Sequence, residues 1–192
     1  MRTLPQSSML AALIAVVAVI LDQITKYFVV QNIELYETKP FIPGVMSLYH
    51  TRNTGAAFSM FSEHRWVFMV FSVISMAMIV YILWKEYKRH ILMNISLGMI
   101  LGGGIGNMID RIRLEYVVDF FHTDFVDFAI FNVADCFITV GAVVLAVYLL
   151  FFEPKVEKRL AEEQKRAQEL SSDATENEVV TEQKVEENGE NG

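Results

Sequence analysis

The sequence predicts an all-α membrane protein: four transmembrane helices with a small extracytoplasmic β-sheet, a cradle, between helices 1 and 2. Three observations predict it. The 192 residues are 53% hydrophobic and only 20% charged, with a mean hydropathy of +0.34, too apolar for a soluble domain whose surface must meet water. The apolar residues gather in four segments, each near the ~20 residues that a bilayer requires. The longest interruption between them holds Pro40, Pro43 and Gly44, which stop helices.

The predicted spans are about 9–30, 66–84, 91–109 and 128–152. Arg2 followed by Met9–Leu21 has the charged and apolar regions of a secretory signal peptide. No small-residue cleavage site follows, and Asp22, Gln23 and Lys26 come instead, so an uncleaved first span is expected. Trp66 and Trp84 bracket the second span, where indoles anchor at headgroup level. The loop Lys85-Glu86-Tyr87-Lys88-Arg89-His90 is short and basic, which places it and both termini in the cytoplasm.

The external segment reads as β structure over about residues 40–61. Val45–Thr51 is extended, Asn53-Thr54-Gly55 is a turn signal, and Ala56–Phe61 returns as a second strand.

Residues 1–155 form the membrane-embedded part, and 156–192 a polar, acidic, largely disordered cytoplasmic tail. From residue 153 onward the chain holds 6 Lys/Arg against 12 Asp/Glu, so this stretch carries −6 of the net −7. The acidity therefore says nothing about a ligand, and no basic patch points to nucleic acid. Cys136 is the only cysteine, which excludes an intrachain disulfide.

Ionisable residues inside apolar segments carry most of the information, because a carboxylate in hydrocarbon persists only when paired, hydrated or used. Asp22 and Lys26 stand at i and i+4 on the first span. Asp22 lies about 12 Å, and Asp135 about 10 Å, below the outer edge at 1.5 Å per residue. On the third span Gly98, Gly102 and Gly106 make a smooth face for another helix. Beside it Gly103, Asn107 and Arg111 share a stripe, so an amide and a guanidinium project together. Asp110 either orients Arg111 or caps the chain that follows.

Asp119 lies in a loop among apolar neighbours, and Asn132 shares a helix face with Asp135. Two carboxylates that converge can share a proton, one accepting from water while the other protonates a carbonyl oxygen. A proton relay or a structural pair would use the same residues.

Five blocks then occur in order along the chain: Asp22-Gln23-Ile24-Thr25-Lys26, Asn53-Thr54-Gly55-Ala56-Ala57-Phe58, Gly103-Gly104-Ile105-Gly106-Asn107-Met108-Ile109-Asp110-Arg111, Val117-Val118-Asp119-Phe120 and Phe131-Asn132-Val133-Ala134-Asp135. In this order they resemble the lipoprotein signal peptidase (signal peptidase II) family. The resemblance implies an aspartic endopeptidase of the bacterial cytoplasmic membrane. It would remove signal peptides from diacylglyceryl-modified prolipoproteins, cutting just before the lipidated cysteine near the outer leaflet. Asp119 and Asp135 would be the catalytic dyad. Asn53, Asn107, Arg111 and Asn132 would hold substrate or the oxyanion, and Asp22, Lys26 and Asp110 would support the structure.

No cofactor or metal is implied. The expected partners are membrane lipid and globomycin-type inhibitors besides the substrate, with no nucleic acid, and the protein is expected to act as a monomer. Cys136 stands where many members carry serine. It is read as packing, since an activated thiolate needs a base and none of His50, His64, His90 and His122 sits in a recognisable partner motif. Two competing functions are a proton-coupled transporter, suggested by the intramembrane charges, and an assembly scaffold, suggested by the glycine face and the tail.

Overall fold

In a computed structural model the chain orders as α1 (Gln6–Asn32), β1 (Thr38–Ile42), β2 (Met46–Asn53), α2 (Arg65–Lys85), α3 (Ile91–Arg113), β3 (Val117–Thr123) and α4 (Val133–Phe151). The structure describes residues 6–55, 65–85, 90–159, 161–162 and 164–166. The expected strand Ala56–Phe61 and the expected disorder at the end of the tail lie outside the described residues.

Three helices, Met9–Asn32, Ile91–Arg113 and Val133–Phe151, are long and apolar enough to cross a membrane, and Met69–Lys85 of α2 is a shorter apolar helix. Leu13, Val16, Ile20 and Ile24 on α1 and Val70, Phe71 and Ile74 on α2 are exposed. Such a continuous apolar surface is untenable in water and natural in lipid. The fourth expected span, 128–152, begins as a helix only at Val133. Asp135 is therefore in the first turn of α4 and not seven residues inside a helix.

Helix α3 is the centre of the bundle, packed on α1 and α2. Its glycines explain how closely α1 approaches. A Cβ at Gly98 would lie 2.6 Å from the Ala11 carbonyl oxygen, and one at Gly102 2.6 Å from that of Ala15. At Gly106 the obstacle would be the Asp22 carboxylate, also at 2.6 Å. The Gly98, Gly102, Gly106 face thus meets Ala11, Ala15, Ala18 and Asp22, a small-residue seam that lets two backbones touch. Gly103 makes the corresponding room for Ala134 and Ile138 of α4.

The sheet has the order β1-β2-β3, antiparallel throughout. Two strands come from between α1 and α2: β2 takes in most of the expected Val45–Thr51, whereas β1 is not one of the two strands read from the sequence. The third comes from between α3 and α4, so the sheet ties together both halves of the chain. Pro43 and Gly44 occupy the central turn positions, Gly44 at φ +73, and Val45 N–H donates to the Ile42 carbonyl, the type II pattern in which only glycine fits easily. Pro40 is tolerated because β1 is an edge strand.

Helix α3 stops where Glu115 takes a left-handed conformation, φ 70, and the chain turns directly into β3. Alternation along β3 then divides its side chains. Val118 and Phe120 pack with Val29 and Ile33 of α1, while Val117 and Asp119 face a cavity.

The chain divides into two compact units, Met1–Tyr148 and Leu149–Gly192. In the second, residues 153–159 are helical and largely exposed.

Candidate active site

The cavity, about 510 Å³, is lined by Asn53, Asn107, Arg111, Val117, Asp119, Phe128, Ala129, Ile130, Phe131, Asp135, Cys136, Thr139 and Val140. Both acids read from the sequence are in its wall, together with Asn53, Asn107 and Arg111. They arrive from different elements. Asp119 stands on β3, a strand where the sequence predicts a loop, and Asp135 is the third residue of α4.

Each carboxylate is held by amide donors. Asn53 Nδ2 donates to Asp119 Oδ2 at 2.8 Å, and Asn132 Nδ2 donates to Asp119 Oδ1 at 2.6 Å. Asn53 reaches Asp119 because Asn53 pairs with Val117 and Thr51 with Asp119, which sets Asn53 diagonally opposite on one face. The turn signal Asn53-Thr54-Gly55 contributes too, since Gly55 N–H donates to Asn53 Oδ1 at 3.0 Å and leaves Nδ2 aimed at the acid.

Asp135 Oδ1 accepts from Asn107 Nδ2 at 2.8 Å, and its Oδ2 accepts from the Asn132 backbone N–H at 3.2 Å. Asn132 lies outside the cavity wall but joins the two acids through these bonds. Asp119 is almost fully buried, and that burial pushes its carboxyl up to about 6. The Asn53 hydrogen bond opposes the rise, the negative charge of Asp135 adds to it, and Asn132 and Lys26 oppose it further.

Beneath the cavity is a buried ion cluster. Lys26 Nζ lies 2.9 Å from Asp22 Oδ2 and 2.9 Å from Asp110 Oδ2, and donates to Asn107 Oδ1 at 2.9 Å. All three ammonium protons are thereby used. Asp110 also accepts from Val118 N–H at 3.1 Å, so of the two expectations for it the capping of the following chain is realised, while its ionic partner is Lys26. Asp22 Oδ1 accepts from Ala134 N–H at 3.0 Å, which fixes the start of α4 against α1.

Gln23 belongs to the same cluster, a role that the reading of charged residues alone leaves out. Its Nε2 donates to Asp110 Oδ1 at 2.9 Å, to Asp22 Oδ2 at 3.2 Å and to the Gly106 carbonyl at 3.2 Å. Its place between Asp22 and Lys26 is the available signal. The apolar wall formed by Phe128, Ile130, Phe131 and Val140 carries no such signal, because these residues look like ordinary span residues. Among the described residues no group of three His, Cys, Asp or Glu side chains could hold a metal ion.

Residues 14–151 match the family described as signal peptidase (SPase) II. The chain is 50% identical over 141 residues to the lipoprotein signal peptidase of Enterococcus faecalis, covering 73% of this chain and 88% of that one. To the lipoprotein signal peptidase of Streptococcus pyogenes it is 47% identical over 134 residues, covering 70% and 88%. Two solved structures described as bacterial membrane enzymes superpose with TM-scores of 0.70 and 0.69 at 33% identity. They cover 73% and 74% of this chain, and 87% and 93% of theirs. Shared sequence, shared fold and a matching family segment that takes in the whole cavity place this bacterial membrane protein in the signal peptidase II family.

Proposed function

We propose that this peptidase, which removes signal peptides from prolipoproteins, does so as an aspartic endopeptidase whose dyad is Asp119 and Asp135. The observation that carries the reading is the pair of carboxylates in one cavity wall, each held by amide donors and joined through Asn132. Transport and scaffolding give no reason for two acids to be presented to a substrate-sized cavity at one end of a bundle.

Asp119, its carboxyl pushed up to about 6 by burial, acts as the general acid, and Asp135 as the general base. Asp135 takes a proton from water as its oxygen attacks the scissile carbonyl carbon, while Asp119 donates to the carbonyl oxygen. A tetrahedral intermediate forms. The proton held on Asp135 then passes to the leaving nitrogen as the C–N bond breaks, and one hydroxyl of the intermediate returns its proton to Asp119, giving a new carboxyl terminus and a new amino terminus. Arg111 and Asn53, at the cavity wall, hold the substrate backbone and the developing negative charge.

The substrate is a prolipoprotein carrying diacylglycerol on its cysteine, cut on the amino-terminal side of that residue. The basic loop 85–90 and the opposite end of α3, where Arg111 meets the cavity, support both termini in the cytoplasm and the site near the outer leaflet. A lipid-anchored substrate presents its scissile bond at that level, where water can reach it. Globomycin-type inhibitors occupy the same cavity, membrane lipid surrounds it, the protein acts as a monomer, and residues 156–192 form a cytoplasmic extension whose residues 171–192 turnover does not need.

The test is cleavage of a lipobox peptide by the purified protein in detergent, with the cut located by mass spectrometry. Cleavage before the cysteine, and only when it is diacylated, is expected. A cut elsewhere, or equal turnover of the unlipidated peptide, contradicts the substrate assignment.

A further inference from the structure

Two amides stand between the ion cluster and the acids, and their orientation decides whether each acid meets a donor or an acceptor. Asn107 turns Nδ2 to Asp135 at 2.8 Å and Oδ1 to the other side, where it accepts from Lys26 Nζ at 2.9 Å and Asn132 Nδ2 at 3.0 Å. Asn132 turns Oδ1 to the Asp135 backbone N–H at 3.0 Å, which leaves Nδ2 for Asp119 and Asn107. An ammonium can only donate. Lys26 therefore dictates which end of Asn107 faces α1, since a reversed amide would point its N–H protons at the donors of Lys26 and Asn132 and its oxygen at the Asp135 carboxylate.

We infer that Lys26 is a positioning residue of the reaction: its buried ammonium fixes the Asn107 amide so that Nδ2 donates to Asp135. This goes beyond structural support and rests on the assignment of Asp119 and Asp135 as the dyad. Lys26 is 3% exposed and is not among the residues that line the cavity, whereas Asn107 is. Lys26 acts on the chemistry without touching substrate. Asp22 and Asp110 neutralise the ammonium and hold it 2.9 Å from each of them, in reach of Asn107. Helix α1, which contributes no residue to the cavity wall, thus controls the polarity of the hydrogen bond that ends on Asp135.

The decisive experiment is a double-mutant cycle on the full chain in detergent, with Lys26→Met, Asn107→Ala and the double variant assayed on the diacylated lipobox peptide. Each single variant is expected to lower kcat roughly 10- to 100-fold, the usual loss when a partner that orients a reacting group is removed. For Lys26→Met KM stays within about twofold, because no residue that lines the cavity is replaced. The double variant is expected to be no slower than the slower single one, because Lys26 acts through Asn107. Losses that multiply, or a folded Lys26→Met enzyme with wild-type kcat, overturn the proposal.

If Lys26→Met does not fold, the neutral cluster Asp22→Asn with Lys26→Met and Asp110→Asn takes its place in the cycle, with the same expectations. A measurement on the unaltered protein is independent of folding variants. Nuclear Overhauser contacts of the Asn107 side-chain amide protons are expected to the Asp135 β-protons and not to the Lys26 ε-protons, and the reverse pattern overturns the proposal. The dyad assignment fails separately, by activity surviving in Asp119→Asn or Asp135→Asn.

Discussion

Asn132 and Asp135 clasp one another across the first turn of α4: Asn132 N–H donates to Asp135 Oδ2 at 3.2 Å, and Asp135 N–H donates to Asn132 Oδ1 at 3.0 Å. This is a capping box with asparagine at the cap and aspartate three residues on. The helix start and the proposed catalytic geometry are therefore one construction. Asn132→Ala is expected to cost about 1–2 kcal/mol of stability, as for other lost caps. Its activity should fall much further than that destabilisation explains, because Asp119 loses its 2.6 Å donor as well. Thermal melts and kcat measured on the same preparation check both effects, and near wild-type turnover would detach Asn132 from the site.

The pH dependence of stability follows from Asp119. Its folded-state carboxyl is raised from 3.8 to about 6 by burial, so its contribution is fully present below 3.8 and is lost as pH rises through about 6. Asp119→Asn has no charge to bury. Relative to this variant, the wild type should lose roughly 2 kcal/mol between pH 4 and pH 7, since a tenfold change in proton affinity is worth about 1.36 kcal/mol. Chemical or thermal unfolding of the two proteins across that range is the check. A pH-independent difference between them would remove the claim.

The α1–α3 seam is expected to tolerate no side chain. Gly102→Ala places a methyl group 2.6 Å from the Ala15 carbonyl oxygen and 2.7 Å from the Ala18 Cβ. A loss of about 1–3 kcal/mol or more is expected, typical of overpacking. Gly104→Ala is the control, because its nearest neighbours are Met76 side-chain atoms at 3.6 Å. It should be neutral or stabilising by up to about 1 kcal/mol, since alanine favours a helix over glycine. Comparing melting temperatures of the two variants tests the seam directly.

Cys136 lines the cavity beside Asp135, yet no step of the proposed chemistry uses its thiol. Cys136→Ala should retain turnover within about threefold, a change of less than about 1 kcal/mol in the barrier. A loss comparable to that of an aspartate variant would make the thiol a participant.

Much of this architecture is legible in the sequence because lipid leaves few choices. Asp22, Lys26, Asn107, Asp110 and Asp135 announce themselves by lying in apolar segments, where only pairing or use sustains them. The glycine spacing at 98, 102 and 106 announces a close helix contact, though not that α1 is the partner. Contacts made at long range along the chain are not legible in this way. β3 pairs with β2 across about 70 intervening residues, and nothing near Asp119 signals that partner. The same holds for Ala134 N–H, whose acceptor, Asp22, is 112 residues away. The start of α4 falls later than hydropathy suggests because Phe128–Phe131 is as apolar as the helix that follows. Hydropathy cannot separate a cavity wall from a span, whereas the Asn132 cap marks the boundary once it is recognised.

Every step of the proposed mechanism depends on two acids acting as one unit, and the most direct measurement is single-turnover cleavage of the diacylated lipobox peptide by the wild type, Asp119→Asn and Asp135→Asn, each shown to be folded. The wild type should cut, and each variant should lose cleavage by a factor of roughly 10⁴ or more, as when one member of a catalytic constellation is removed. Turnover by either folded variant within about tenfold of wild type would contradict a shared aspartate dyad.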